Sequence, residues 1–387
     1  MATTAAPTPP RVRHVAGCMT GTSLDGLDAA LSRITSTGLD MSAEHLSLVS
    51  VPLPDGLRDT LRSLAEGGAH PPRDILRAAR HLGVVHAEAV AELLHQHPQI
   101  TPDFVVAHGQ TVCHAPDDAL SWQLFDPWPI VRSLRLPVCY DLRQADLVAG
   151  GQGAPITPIA DPILFGRAPS TTVVNLGGVC NLTHWGRSLA PLPPRVAWEL
   201  EAYDLCPANL LLDGLARRLY GKPYDPEGVA AAAGRPRRAL RRRIDAAVRR
   251  ASGTRKTLGR EQFGQAWVNA IVDPLPDAVP ADWLASAVSW LTRTVAAEVG
   301  GRDPSRVVLA GGGVRHRGLR SRLERMLRPT AVSPSDDLGV PAEAREALAF
   351  TVLGALSQDR VPITLPAVTG AKGPGVAGAW AYPNGPG

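Results

Sequence analysis

Apolar and polar positions along the chain fall into short runs that predict alternating strands and helices. "RHVAGCM" (13–19) reads as a strand that enters a small polar turn, and "LDAALSRI" (27–34) leaves that turn as a second strand. "DGLRDTLRSLAEG" and "PPRDILRAARHLGVVHAEAVAELLHQH" place apolar residues at three- and four-residue steps and predict amphipathic helices. "DFVVAHGQTV" predicts a buried strand ending in a polar turn, and "LPVCYDLR" another strand, followed by the glycine-rich "VAGGQGAP". Then "TTVVNLGGVCNLTHW" (171–185) runs apolar strand, glycine turn, apolar strand. "CPANLLLDGLARRLYG" predicts a helix stopped by Gly221. "ADWLASAVSWLTRTVAAEVGG" predicts a long helix, "SRVVLAGGGVRHRGLRSRLERML" a strand, three glycines and a helix, and "PAEAREALAFTVLGALSQD" a last long helix.

Strands alternating with helices point to an α/β architecture. The opening stretch and residues 171–185 share one grammar, two strands about a glycine turn. That suits a duplicated α/β unit, and it equally suits two unrelated hairpins.

Composition narrows the class without naming a function. The 387 residues are 44% hydrophobic and 20% charged, ordinary for a globular chain of two domains. Five scattered cysteines (Cys18, Cys113, Cys139, Cys180, Cys206) form no C-x-x-C pair and support neither a disulfide framework nor a zinc site. The first residues lack the basic and apolar regions of a secretory signal, and no apolar run approaches a membrane span. The expectation is a disordered tail over 1–11, no membrane partner and a cytoplasmic location. Forty basic against 36 acidic residues is too mild a balance to imply nucleic acid. The one basic run, "GRPRRALRRRIDAAVRR" (234–250), reads as a solvated helix face in a chain nearly without lysine, and no aromatic residues interleave it.

Chemistry collects in the turns. In "GCMTGTSLDG", bare backbone and the hydroxyls of Thr20, Thr22 and Ser23 suit an anion, and Asp25 suits a metal ion beside it. The stretch is neither a Walker loop nor a dinucleotide fingerprint, and it also fits an ordinary hairpin. Gly311, Gly312 and Gly313 offer bare backbone between strand and helix. His108, Gln110 and Thr111 follow a strand end, where ligands of α/β sheets collect. His114 has no partner at metal-ligand spacing. Asp141, Arg143, Asp204, Glu343 and Glu346 are the remaining charged candidates. Asp204 before Pro207 also fits a helix cap, and Glu346 stands against the apolar run "EALAF".

Nine stretches taken together resemble the anhydro-N-acetylmuramic acid kinase family. In order they are "GCMTGTSLDGLDAAL", "AHGQTVCHAP", "DLRQADLVAGGQGAP", "VVNLGGVCNLT", "YDLCPANLLLDGLARRLYGKPYDPEG", "KTLGREQFG", "VVLAGGGVRHRGL", "DDLGVPAEAREALAF" and "LPAVTGAKGP", spanning Arg13 to Pro374. The resemblance implies two ribonuclease-H-like domains of the actin-like ATPase type flanking an active-site cleft. It divides the chain into 12–165 plus about 361–383 and 166–360. It implies ATP with Mg2+, and transfer of phosphate to the 6-oxygen of 1,6-anhydro-N-acetylmuramic acid as water opens the anhydro bridge. Matched residue by residue, Thr20, Gly21, Thr22, Ser23, Leu24, Asp25 and Gly26 would cradle the phosphates, with Asp25 at the metal. Asn175, Gly177 and Gly178 would form the corresponding loop of the second half, and Gly311, Gly312 and Gly313 the nucleotide-side loop. Asp204 would be the catalytic base, with His108, Gln110, Thr111, Arg143, Asn209 and Glu346 at the sugar. Family members are commonly dimeric, which makes a homodimer the expectation.

One departure falls in the catalytic turn. The family's D-x-G-P-G-N reads "DLCPAN" here, with Cys206 and Ala208 at the glycine positions. A Cβ is costly at either position if its φ is positive, and a cysteine facing the pocket would narrow it. That leaves another anhydrosugar, such as levoglucosan, or a non-catalytic nucleotide binder as alternatives.

Overall fold

The computed structural model describes residues 10–21, 24, 26–167, 169–186, 200–252, 258 and 262–384. Its first strands are β1 (Val12–Thr20), β2 (Gly26–Thr35), β3 (Ser42–Pro52), β4 (Phe104–Ala107), β5 (Gln110–Ala115), β6 (Leu120–Leu124) and β7 (Val138–Tyr140). Then come β8 (Thr171–Leu176), β9 (Val179–Trp185), β10 (Leu200–Pro207), β11 (Arg306–Ala310), β12 (Ala331–Pro334) and β13 (Ala379–Ala381). Helices α1 (Asp55–Ala65), α2 (Pro72–Gln96), α3 (Trp128–Leu134), α4 (Gln144–Val148) and α5 (Asp161–Phe165) lie among the early strands. Helices α6 (Asn209–Tyr220), α7 (Val229–Ala233), α8 (Arg238–Ser252), α9 (Gln265–Val272), α10 (Pro280–Gly300) and α11 (Arg317–Met326) follow. The last are α12 (Arg345–Gln358) and α13 (Pro366–Thr369).

The chain divides into two units, one of residues up to 166 together with 344 onward, the other between them. In the first unit the sheet order is β13-β7-β4-β1-β2-β3. Strands β1, β2 and β3 form an antiparallel meander, and β4 then β7 add in parallel on the other edge of β1. In the second unit the order is β10-β9-β8-β11-β12. There β8, β9 and β10 are the antiparallel meander, and β11 then β12 add in parallel beyond β8. The two sheets repeat one ribonuclease-H-like plan, so the shared grammar of the two hairpins is that of a duplicated unit.

Each sheet carries its own core. The central strand β1 is buried over most of its length, and α12 packs on β1, β2 and β4. Helix α12 is apolar nearly all round, the pattern of a helix enclosed on every side. Gly17 makes the approach possible, because a Cβ there would overlap the Ala347 carbonyl and crowd Thr351. In the second unit Trp283, Leu291 and Val295 of α10 join Leu211 and Leu215 of α6 in one cluster.

This placement of α12 corrects the expected boundary. The expected split put 166–360 in the second domain, but the return to the first unit begins at Ala344. Two buried ion pairs fix it there. Arg345 binds Asp161 with contacts of 2.7 and 2.6 Å, and Arg13 of β1 forks onto Asp359 at 2.8 and 2.9 Å. A helix apolar on all sides has no face to say which sheet it serves, so periodicity alone could not assign it. Strands β3 and β10 were also not anticipated, and α6 begins at Asn209, because Cys206 and Pro207 complete β10. Among the described residues, no helix is long and apolar enough to cross a membrane. The expected tail lies outside the described residues except for Pro10 and Arg11.

Candidate functional site

In the second unit, one hairpin organises the candidate residues. The β8–β9 turn at Gly177–Gly178 turns its carbonyls to the start of α6. Ala208 and Leu210 donate their N–H groups to Gly178 O at 2.9 and 3.0 Å, and Asn209 donates to Gly177 O at 3.0 Å. These are amides that a helix start leaves without intrahelical partners. The turn therefore acts as the cap of α6, a duty that glycine-turn spacing did not reveal. Asn209 then donates its side-chain amide to Leu176 O at 3.1 Å. That bond ties Asn209, expected at the sugar, to the glycine loops.

The three consecutive glycines after β11 have three different reasons. Gly311 has φ +78°, and a Cβ there would sit 2.7 Å from Asn175 Oδ1. Gly313 is pressed on Leu176, whose Cβ would lie 2.7 Å away. Gly312 is exposed and has nothing within 4 Å of a Cβ position. It presents bare backbone to open space, the surface that a nucleotide phosphate or sugar can approach.

Asp204 is not a helix cap. It lies in β10 opposite Asn181, and the register shifts between Asp204 and Cys206. A bulge of this kind re-aims a side chain out of the ladder, and bulges are common beside active sites. Asp204 Oδ2 accepts a hydrogen bond from the Leu258 backbone N–H at 2.9 Å. Burial pushes its pKa above the ordinary aspartate value, and the Leu258 N–H partly offsets this. A carboxylate held by one oxygen and made more basic is suited to accept a proton.

The departures from the family turn fall in the core. Cys206 and Ala208 are 1% and 0% exposed and belong to the apolar core. Ala208 has φ −115°, and Cys206 is not among the positive-φ residues. Neither position requires glycine for its backbone, and the Cys206 thiol faces Cys180 in the core rather than solvent.

In the first unit, β1 delivers Thr20 to the turn after β4. Its hydroxyl donates to Gly109 O at 2.7 Å, so this expected phosphate donor instead ties two strand ends together. Leu24 is buried with φ 58° and donates its N–H to Gly21 O at 3.1 Å, and Gly26 opens β2 opposite Pro52. Thr22, Ser23 and Asp25 lie outside the described residues.

The expected sugar residues of this unit form a connected cluster. His108 stacks on Phe350 with ring centroids 4.8 Å apart. Arg143 Nη2 lies 3.2 Å from His108 Nε2, and Arg143 Nη1 donates to Gly153 O at 2.7 Å. A guanidinium only donates, so His108 Nε2 is the acceptor and the neutral ring carries its proton on Nδ1. Burial holds His108 well below its ordinary pKa, and Arg143 and then His86 push it further down. Burial lowers Arg143 to about 10, against which Glu346 and Asp146 act. Glu346 opens α12 with its side chain in reach of solvent, yet the protein packed about its carboxyl raises its pKa. Arg345 opposes that rise, Asp28 adds to it, and Arg143 opposes it. Thr111 lies in β5, with Gln110 Nε2 donating to its carbonyl at 3.3 Å. Glu343, the other acid considered, pairs with Arg315 of the second unit's glycine-rich turn.

Sequence reading missed the support beneath Arg143. Asp146 is fully buried and accepts from the Gly153 N–H at 2.7 Å and the Thr369 hydroxyl at 2.6 Å. His114, set aside for want of a partner in sequence, lies against Gly153 and feels the Arg143 charge. The loop "VAGGQGAP" and the return of the chain at residue 369 bring these groups together, and no local spacing encodes that.

Comparison with known proteins agrees with this architecture. A model of the family described as anhydro-N-acetylmuramic acid kinase matches residues 13–383. The anhydro-N-acetylmuramic acid kinase of Salinibacter ruber is 34% identical, over 96% of this chain and 97% of its own. That of Bordetella petrii is 37% identical over 94% of each chain, and that of Prochlorococcus marinus (strain MIT 9303) 35% identical over 96% of this chain and 100% of its own. A match running the length of both units, rather than over one shared loop, means that this chain belongs to the anhydro-N-acetylmuramic acid kinase family.

Proposed function

We propose that this kinase transfers the γ-phosphoryl group of ATP to the 6-oxygen of 1,6-anhydro-N-acetylmuramic acid while water opens the anhydro bridge. The products are N-acetylmuramic acid 6-phosphate and ADP, in the recycling of cell-wall peptidoglycan in the cytoplasm. The observation that carries this reading is the Asp204 carboxylate, re-aimed by a bulge, held through Oδ2 and raised in pKa.

Asp204 takes a proton from water as the water oxygen bonds to C1 of the sugar. The C1–O6 bond breaks, and its electron pair stays on O6, which bonds to the γ-phosphorus. The bond from the γ-phosphorus to the oxygen that joins it to the β-phosphorus breaks, and that oxygen leaves with ADP. Such a reaction needs a carboxylate base and a leaving oxygen captured as it departs. The bare backbone at Gly312 suits the nucleotide. Magnesium bound with the nucleotide would neutralise phosphate charge, with Asp25 as its carboxylate. Magnesium on a nucleotide needs only one or two protein carboxylates.

Three buried polar atoms without partners support a hydroxylated ligand in the first unit: His108 Nδ1, Gln110 Oε1 and Arg143 Nε. Buried polar groups are ordinarily paired, and a sugar with hydroxyl and amide groups supplies both donors and acceptors. Arg143 stays cationic at neutral pH and suits the lactyl carboxylate of a muramic acid, which levoglucosan lacks. The inward placement of Cys206 and Ala208 removes the reason to prefer another anhydrosugar.

The test is ADP release coupled to a sugar-phosphate readout, over a panel of anhydrosugars with and without the lactyl group. Asp204→Asn should lower turnover by ~100- to 10,000-fold, the usual worth of a general base, with the fold intact by circular dichroism. Activity retained in that variant would remove Asp204 as the base. Equal kcat/KM for levoglucosan would remove the muramic substrate.

A further inference from the structure

The basic helix α8 is more than a solvated face. In the second unit, α8 and α11 both pack on α10. Some arginines of these helices and the turn before them have a carboxylate. Arg237 pairs with Asp282 at 2.6 Å, Arg249 with Asp245 at 2.9 Å, and Arg320 with Glu324 at 3.5 Å.

Four arginines without such a partner lie together, and Arg325, Arg293 and Arg241 all act on the charge of Arg322. Arg241 Nη1 of α8 and Arg322 Nη2 of α11 both donate to the hydroxyl of Ser289 on α10, at 3.2 and 3.1 Å. Ser289 is fully buried, so the two guanidiniums converge on one point where three helices meet. Arg293 is one turn beyond Ser289 on α10, and Arg325 is three residues beyond Arg322 on α11. Both spacings put side chains on one helix face. Among the described residues, none of the four forms an ion pair. The nearest acids on the same helices are engaged: Asp245 by Arg249 and the Trp290 indole N–H, and Glu324 by Arg320. Arg322 Nε is buried without a partner. Burial, then Arg325, Arg293 and Arg241, all pull Arg322 below the ordinary guanidinium pKa.

We propose that the junction of α8, α10 and α11 binds a phosphate-type oxyanion, held by Arg241, Arg293, Arg322 and Arg325 around Ser289. Guanidinium forks match the tetrahedral oxygens of phosphate, and several forks from different helices suit a multiply charged anion better than a single carboxylate. The like charges repel one another when the site is empty, and the anion removes that repulsion. The site is separate in residues from the glycine loops and from Asp204. It takes inorganic phosphate or the phosphate of a phosphorylated metabolite, and it does not depend on the kinase reading above.

The experiment is calorimetric titration of the full-length protein with inorganic phosphate and, separately, with a hexose 6-phosphate, at ionic strength held constant with chloride. Wild type and Asp204→Asn should both bind. The double variant Arg241→Gln/Arg322→Gln should bind about tenfold or more weakly, in line with the loss of two charge-assisted contacts. Its turnover at saturating substrates reports that it remains folded. Exposed Arg325 gives a second measurement. In phosphate-free buffer Arg325→Gln should melt above wild type, because a like charge is gone, and phosphate should narrow or reverse that difference. Tighter binding of the hexose phosphate than of inorganic phosphate would assign the site to phosphorylated metabolites, and the reverse to the free ion. No heat in wild type, equal heat in the double variant, or Arg325→Gln melting at or below wild type would each overturn the proposal.

Discussion

Asp204 shows how much one strand irregularity can decide. Had β10 paired in register through Cys206, the carboxylate would sit within the ladder pattern; the bulge turns it out, and the Leu258 N–H fixes one oxygen. Because burial raises its pKa, kcat should fall with acidification along a limb whose midpoint lies above the ordinary aspartate value of 3.8. The sign follows from the proposed role: a general base works ionised, and a raised pKa protonates it at higher pH. A kcat–pH profile checks this, and a limb at or below the ordinary value would contradict it. The glycines after β11 make a second test at this scale. Gly312→Ala should fold normally and raise the KM for ATP, since its Cβ meets only open space. Gly313→Ala, pressed against Leu176, should lose ~1–3 kcal/mol of stability as an overpacked site. Thermal denaturation together with ATP kinetics separates the two.

At the scale of elements, the first unit holds its polar cluster through a loop rather than through a helix face. Asp146 on α4 joins the Gly153 N–H to the Thr369 hydroxyl, and Gly153 in turn accepts from Arg143. Removing the Thr369 hydroxyl leaves a buried carboxylate oxygen short of a donor, at a cost of ~1.5–3 kcal/mol for a bond to a charged group. Thr369→Ala should therefore raise the KM for the sugar by about tenfold or more while leaving the KM for ATP nearly unchanged. Serine at the same position restores the hydroxyl and should restore the KM. A variant that loses stability with both KM values unchanged would mean that the bond only holds the fold. The β8–β9 turn works in the same indirect way. Its carbonyls cap α6 and so set Asn209 beside Leu176, although its sequence reads only as a glycine turn.

Over the whole molecule, the first sheet is complete only when the end of the chain returns to it. Arg13, 1% exposed, binds Asp359 at the end of α12, and β13 pairs with β7. Breaking a buried pair leaves a charge uncompensated, so Asp359→Ala should destabilise the first unit by ~3–5 kcal/mol. In a denaturant titration, hydrogen exchange should show early loss of protection in β1 and α12, with β8 and β11 unaffected. Simultaneous loss in both sets would show that the units unfold as one. By itself the sequence determined the strands and helices whose apolar periodicity is strong, and the nine motifs that carry the family. It also determined the candidates Asp204, Arg143 and Glu346, because turn residues and glycine spacings are local properties of a chain. Only the tertiary structure decided that the two hairpins head two sheets of one plan, that α12 serves the first, and that Cys206 and Ala208 turn inward. It alone placed Asp146, Thr369 and His114 about Gly153, and Arg241 and Arg322 on Ser289. Each of these depends on residues far apart in sequence meeting through packing and register, and a helix or strand buried on all sides carries no periodic mark of what it will meet.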